Sequence, residues 1–400
     1  MKVRTGRAAS QCSQRSCARL YRPAVQFVEP PALPAALWDR WVPDMQPETR
    51  TLQHVMDERM ASRPFKEAYH FMRAASPLRW SNEDLKRHSE ALATGLLDMG
   101  YKRGSKLAVW AGNDKEVPAV MLGLGFTGNH MVGVDPDLGV SEVRGVLSSL
   151  GCRGLLFTPR WGMQQRNKEM SAIVEGLGDV QAHPGRIIHS KEMRNLRHLI
   201  DLKLQSTTGV HTIAQVPVYD PSPSPLPEVR RLIHADWPLF TSVRPAASGE
   251  GWEAGKTLST AQALAFGSTF AEAAGMTADS TVLVTAPLHT ALASCGGILG
   301  AMSTGAKFVM VRSAFDAKGT LDTLTRQRVT TLLATSEQLA ELSELLAADT
   351  ASSDPKYGAP FLNAVVADEA FAAGGSAPSH FAGTSVLVAD SRKDDSALSR

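Results

Sequence analysis

The sequence predicts an α/β protein with two doubly wound, mostly parallel sheets covered by helices, and three observations predict it. Short apolar runs alternate with helical patterns from about residue 51 to residue 389. The strands are separated by helices rather than by two-residue turns, and such crossovers are what parallel neighbours require. At 400 residues and 43% hydrophobic composition the chain also has ample material for a large core.

The elements follow in order. "TLQHVMDERMASRP" reads as a helix and "EAYHFMR" as a strand. "SNEDLKRHSEALATGLLDMG" is a strong amphipathic helix: Ser81 can cap it, Asp84 stands three residues later, and Gly100 ends it. "KLAVWAG" is the next strand, then a helix through 117–127, the buried strand "HMVGVDP", the helix "GVSEVRGVLSSLG" and the strand "GLLFTP". Residues 177–234 are less regular, with strands expected near Arg186–Ile188, Leu199–Leu202 and Thr212–Val216. A second series follows: helix 259–274, strand "TVLVTAP", a Gly-rich helix 292–304, strand "AKFVMVR", helix 317–327, strand "TTLLAT", helix 336–348, and strands "FLNAVVA" and "TSVLVAD". The proline-rich stretch "DPSPSPLPEV" divides the two series as a stiff linker. The expected division is therefore a first α/β subdomain over 51–219, a linker over 220–235 and a second subdomain over 236–400.

Ahead of these lies a different composition. Residues 1–28 carry Lys2, Arg4, Arg7, Arg15, Arg19 and Arg22 among serines, with no acidic residue before Glu29. This is the make-up of an organelle-targeting arm, mitochondrial most often, a basic disordered arm being the alternative. Residues 29–50 form a Pro- and Trp-bearing extension.

The charge balance excludes some functions. A formal net charge of +2 gives no basic field for nucleic acid. No stretch reaches the ~18 apolar residues of a membrane span. Cys12, Cys17, Cys152 and Cys295 fit neither a disulfide framework nor a zinc site, so reduced thiols are expected. His183, His189, His198, His211, His234 and His289 are scattered without metal-ligand spacing, so no metal and no cofactor are expected. There is no G-x-S-x-G nucleophile elbow.

Two stretches look able to hold phosphate. "LFTSVRPAASGEGWEAGKTLST" (239–260) ends in Gly255-Lys256-Thr257, but the glycine a Walker loop needs five residues earlier is Glu250. Gly123-Leu-Gly125-Phe-Thr-Gly128 is a formal GxGxxG, yet it falls late in a predicted helix, where small residues serve close packing.

The order of elements over roughly 50–395 resembles the adenylate-forming enzymes, the acyl-CoA synthetase and ligase group. The residues that carry the resemblance are Gly100 with Gly104, Asn113, Gly128 and Asp135-Pro136, then Pro287-Leu288-His289. It implies the large N-terminal domain of such enzymes, with a Thr-Ser-Gly-Thr-Thr-Gly-x-Pro-Lys-Gly loop for the phosphates of ATP. Here that place reads Thr241-Ser242-Val243-Arg244-Pro245, with Lys256 fifteen residues after Thr241. Val243 resists the positive φ of the glycine it replaces, and Pro245 removes a backbone donor. Thr241, Ser242 and Lys256 are thus the vestige of a cofactor-binding loop. His289 is placed to line the old acyl pocket, or to be an ordinary satisfied or exposed histidine.

The resemblance also implies a Tyr-Gly-x-Thr-Glu motif, where Ser391-Arg392-Lys393-Asp394-Asp395 stands, and a lysine-bearing lid domain beyond Arg400. The expectation is a pseudoenzyme without catalytic residues: an accessory subunit of a mitochondrial complex, in the matrix or on the matrix face of the inner membrane. Its partners would be other subunits, reached through residues 1–50, with no direct nucleic-acid contact. A respiratory-chain complex is preferred to the mitochondrial ribosome, whose proteins are usually far more basic. A binding module for an acyl or nucleotide ligand and a divergent ATP-dependent acyl-CoA ligase remain the alternatives.

Overall fold

The structure is a computed structural model. It describes residues 49–72, 77–158, 188, 190–191, 193–203, 209–246, 248, 251–311, 315–350, 361–368 and 385–389. The arm over 1–28, the extension up to residue 48, the expected strand at 186–187 and the tail after 389 lie outside these residues.

The described chain runs α1 (Leu52–Ser62), β1 (Glu67–Met72), β2 (Leu78–Ser81), α2 (Asn82–Asp98), β3 (Lys106–Trp110), α3 (Val117–Phe126), β4 (His130–Val134), α4 (Val140–Ser149) and β5 (Gly154–Phe157). It continues with β6 (His198–Asp201), β7 (His211–Thr212), a short helix α5 (Leu226–Arg230), β8 (Pro238–Pro245), β9 (Trp252–Ser259), α6 (Thr260–Ala273) and β10 (Thr281–Val284). A π-helix, Leu292–Leu299, leads into α7 (Gly300–Thr304), and β11 (Lys307–Val311), α8 (Ala317–Arg326), β12 (Thr331–Leu333), α9 (Ser336–Thr350), β13 (Ala364–Asp368) and β14 (Ser385–Ala389) follow.

Local chemistry sets the boundaries. At the start of α2 the Ser81 hydroxyl accepts from the Asp84 N–H at 3.1 Å, and Asp84 accepts from the Ser81 N–H at 3.1 Å. Gly100 then turns the chain with φ 79°. The expected strand over Thr212–Val216 is only the two-residue β7, paired with β6 as far as Thr212, followed by one turn of 3₁₀ helix in which the Gln215 side chain accepts the Thr212 N–H.

Two seven-stranded sheets result, in the orders β14-β13-β12-β10-β11-β1-β2 and β7-β6-β5-β3-β4-β8-β9. All neighbours pair in parallel except β1 with β2 and β8 with β9. The linker over 220–235 does not separate them. β1 and β2, early in the chain, complete the sheet of β10–β14, while β8 and β9, beyond the linker, complete the sheet of β3–β7. Apolar pattern shows which residues are buried but carries no record of a strand's partner, so the contiguous halves read from sequence are exchanged at their edges.

The largest core lies between the sheets. It joins Leu107, Val109 and Met131 of one sheet to Val282, Phe308 and Met310 of the other, through α1, α2, α3 and α6. Separate cores back the outer faces, one under α4 and one under α8 and α9. All ten residues of α3 are buried, so this helix has no solvent face. Gly123 and Gly125 lie inside it, where a Cβ would stand 3.1 Å from the Ser89 carbonyl oxygen and 2.3 Å from Leu52 Cδ1 respectively. The formal GxGxxG is a packing feature, as its place late in the helix implies.

Candidate functional site

Each sheet has a point where the strand order reverses, between β3 and β5 and between β10 and β12. Loops part there, and a crevice forms outside the carboxyl ends of the strands. A cavity of about 700 Å³ occupies this place, lined by residues that follow the strand ends of both sheets. Trp110 ends β3 and Asn113 and Asp114 follow it, Pro136 and Asp137 follow β4, and Thr158 follows β5. From the other sheet come Thr285 and Pro287 after β10, and Glu337, Gln338 and Glu341 on α9.

Asn113 holds the two walls together. Its side-chain amide donates to the carbonyls of Thr285 and Ala286 at 3.2 and 3.1 Å, and its oxygen accepts the Leu288 N–H at 3.0 Å. Gln338 donates to the Thr285 carbonyl from α9 at 3.2 Å. Thr158 donates to Asp114 across the turn after β3. Among the described residues four carboxylates, Asp114, Asp137, Glu337 and Glu341, line the cleft against one lysine, Lys203, a balance unfavourable to phosphate. The buried Trp110 indole N–H has no hydrogen-bond partner among the described residues. No group of three or more His, Cys, Asp or Glu side chains among the described residues is placed to hold a metal ion.

The candidate loop residues lie elsewhere, on an antiparallel hairpin. Thr241 pairs with Thr257, Val243 with Ala254, and Pro245 with Trp252. Thr241 is buried, and its hydroxyl shares hydrogen bonds with His130 Nε2 at 2.5 Å and Thr257 Oγ1 at 2.7 Å. The Ser242 hydroxyl accepts the Lys256 N–H at 3.1 Å. A Cβ on Gly255 would come within 2.8 Å of that hydroxyl, so the glycine beside Lys256 lets the strands approach. The three residues read as the vestige of a loop therefore lie on one hairpin, in paired strand. Val243 and its β-branched neighbours favour that outcome, since branched side chains suit a pleated surface.

His130, at the start of β4, supports the hairpin from beneath. Burial holds its imidazole down at about 4, with the Lys106 charge adding to the effect. It is neutral at physiological pH and serves as a hydrogen-bond partner only. His289 sits against Gly133, whose Cβ would fall 2.4 Å from the His289 carbonyl oxygen. Its Nε2 lies 4.0 Å from an Asp135 carboxylate oxygen, and burial lowers its pKa against the opposing pull of Asp135 and Asp137. It is not among the residues lining the cleft, which Pro287 is. The cleft residues that sequence reasoning passed over, Trp110, Asp114, Gln338 and Glu341, carried one usable signal: Trp110 lies near the end of a predicted strand, and the other three belong to two segments that follow a predicted strand.

Comparison with known proteins agrees with this architecture. The AMP-binding enzyme family matches residues 56–226. The mitochondrial medium-chain acyl-CoA ligase ACSF2 of Mus musculus is 23% identical over 271 residues, covering 66% of this chain and 43% of that protein. The acyl-CoA ligase sidI of Aspergillus fumigatus is 30% identical over 95 residues, covering 24% of this chain and 16% of that one. This chain thus spans less than half the length of these curated relatives. VinN in complex with L-aspartate superposes with a TM-score of 0.59 at 15% identity, covering 85% of this chain and 75% of that chain. Apo MbtA of Mycobacterium smegmatis superposes with a TM-score of 0.59 at 16% identity, covering 82% and 52%. Residues 56–226 thus match the AMP-binding enzyme family model, and the described chain shares the two-sheet fold of these structural neighbours.

Proposed function

We propose that this acyl-CoA-ligase-like protein does not adenylate a substrate and serves as an accessory subunit of a mitochondrial assembly, a respiratory-chain complex in the first instance. The observation that carries the first half is the hairpin. In-line nucleotidyl transfer depends on donors aimed at the phosphates from the start. Here the Thr241 hydroxyl is buried between His130 and Thr257, and Ser242 accepts from the Lys256 backbone. Strand pairing occupies the backbone groups that a phosphate loop would present. The carboxylate-rich cleft works in the same direction. The mitochondrial half is supported by the Arg- and Ser-rich start of the sequence and by the mitochondrial ACSF2 relatives. The accessory role rests on the first half: a fold of this size that does no chemistry still offers a large rigid surface.

The test is ATP binding and pyrophosphate exchange on the full-length protein, with magnesium and a panel of medium-chain fatty acids. The proposal expects neither exchange nor a magnesium-ATP-dependent rise in melting temperature; exchange above background overturns it. A second reading, a module that holds an acyl or nucleotide ligand without turnover, is favoured by the open cleft and the Trp110 indole N–H. A melting shift with acyl-CoA but no exchange would select it.

A further inference from the structure

A second recess lies at the opposite end of the β3–β9 sheet, at the amino ends of its strands. It encloses about 700 Å³ and is lined by Leu97, Val229, Leu232, Trp237 and Pro238, with Tyr101 and the turn Lys102-Arg103-Gly104. Its floor is fixed by close backbone contacts. Gly104 donates to the Gly128 carbonyl at 2.8 Å, and both glycines have positive φ, 75° and 65°. Trp237 lies on Gly128 so closely that a Cβ there would meet the ring at 2.9 Å. The Arg103 guanidinium stands over the indole, 4.9 Å from its centroid, and donates to the Leu232 carbonyl at 3.2 Å. The recess is thus formed before anything binds, which lowers the ordering cost of association.

Its chemistry is one-sided. Among the described residues the charged lining is Lys102 and Arg103, both exposed, with no carboxylate. Leu232 stands at the recess 50% exposed. An apolar floor with cationic edges fits an apolar anchor flanked by carboxylates. A concave recess cannot seat a flat bilayer, and a single lysine–arginine turn is too little for a nucleic-acid backbone. The chain's own first 28 residues, which carry only positive charge, are repelled.

We propose that this recess is the docking site for an acidic segment of another subunit, one that inserts a leucine or aromatic side chain beside Trp237 and sets carboxylates against Lys102 and Arg103. The inference rests on the accessory-subunit reading and names the chemistry of the partner. Insertion would bury Leu232 and bring the partner's carboxylates onto the exposed cations at the edge.

The experiment uses the full chain in mitochondria with a photocrosslinking phenylalanine analogue at position 232, alongside the double variant K102E/R103E. Leu232, Lys102 and Arg103 are all exposed, but Arg103 also packs on Trp237 and donates to the Leu232 carbonyl, so folding is checked by melting temperature and K102E alone is the control that leaves the recess intact. The expected result is an adduct to a carboxylate-rich stretch of a different subunit. In the double variant that adduct should fall at least tenfold, and co-migration with the complex should weaken at moderate salt. An adduct within the chain, to a second copy or to lipid overturns the proposal. So does the absence of an adduct when the unmodified protein still co-migrates with a complex. If the unmodified protein never co-migrates, the accessory reading itself fails, which separates the two failures.

Discussion

Replacing Asn113 with alanine should loosen both sheets at once. The side chain makes three buried hydrogen bonds, all from the β3 turn of one sheet to the β10 turn of the other. At a net of about 1 kcal/mol per bond the loss is on the order of 3 kcal/mol. The distribution matters too. The Thr285 carbonyl keeps the Gln338 amide, but the Leu288 N–H loses the Asn113 oxygen in a buried turn. An orphaned buried donor costs ~1–3 kcal/mol by itself, so the total should not fall much below ~2 kcal/mol. Urea unfolding followed by tryptophan fluorescence gives the shift in midpoint, and a preserved slope certifies that the native state stays compact. Gln338→Ala, which removes two bonds (to the Thr285 carbonyl and from the Thr335 N–H), is the internal comparison at about 2 kcal/mol. A loss under about 0.5 kcal/mol for Asn113→Ala would refute the view that this side chain joins the sheets.

Three further outcomes follow from the same geometry. Gly133→Ala puts a Cβ 2.4 Å from the His289 carbonyl oxygen, and neither backbone can yield; soluble yield and melting temperature should collapse, whereas wild-type-like melting would show that the strand shifts freely. His130 binds its proton only near pH 4 when folded but near 6.5 when unfolded, so its contribution is complete above pH 6.5 and is lost as pH falls toward 4. The size is on the order of 3 kcal/mol, and urea midpoints from pH 7 to 4.5 should fall in the wild type and fall less in His130→Gln. A flat wild-type profile would contradict this. Burial pushes the Cys152 thiol up to about 12 and Cys295 higher still, so neither should take up iodoacetamide at pH 8 until the protein is denatured, as peptide mapping can read directly.

Much of the fold was legible because its elements are locally encoded. Ser81 with Asp84 and Gly100 mark the ends of α2, and alternating apolar runs mark β3, β4, β10 and β11. The two edge hairpins were harder. β2 is only Leu78–Ser81 and merges into the cap of α2, and β8 with β9 surrounds a Gly- and Ser-containing turn that looks like a loop from end to end. Their exchange between sheets is a matter of long-range pairing, which period and propensity do not record. The site shows the same division. Thr241, Ser242 and Lys256 read from sequence as the vestige of a phosphate loop, and the fold places them on the β8–β9 hairpin, where the Lys256 N–H donates to the Ser242 hydroxyl. Asn113 was visible only as a matching residue. Its reach across the cleft depends on a carbonyl 172 positions away.

The most direct test of the account is the state of the full-length protein in its own membranes. Mitochondria are extracted in mild detergent, separated natively, and each fraction is assayed for this chain by mass spectrometry and for ATP–pyrophosphate exchange. The account expects the chain at fixed stoichiometry in a large complex, resistant to salt, with no exchange activity following it. A free species that migrates as a single copy and carries exchange activity would contradict it.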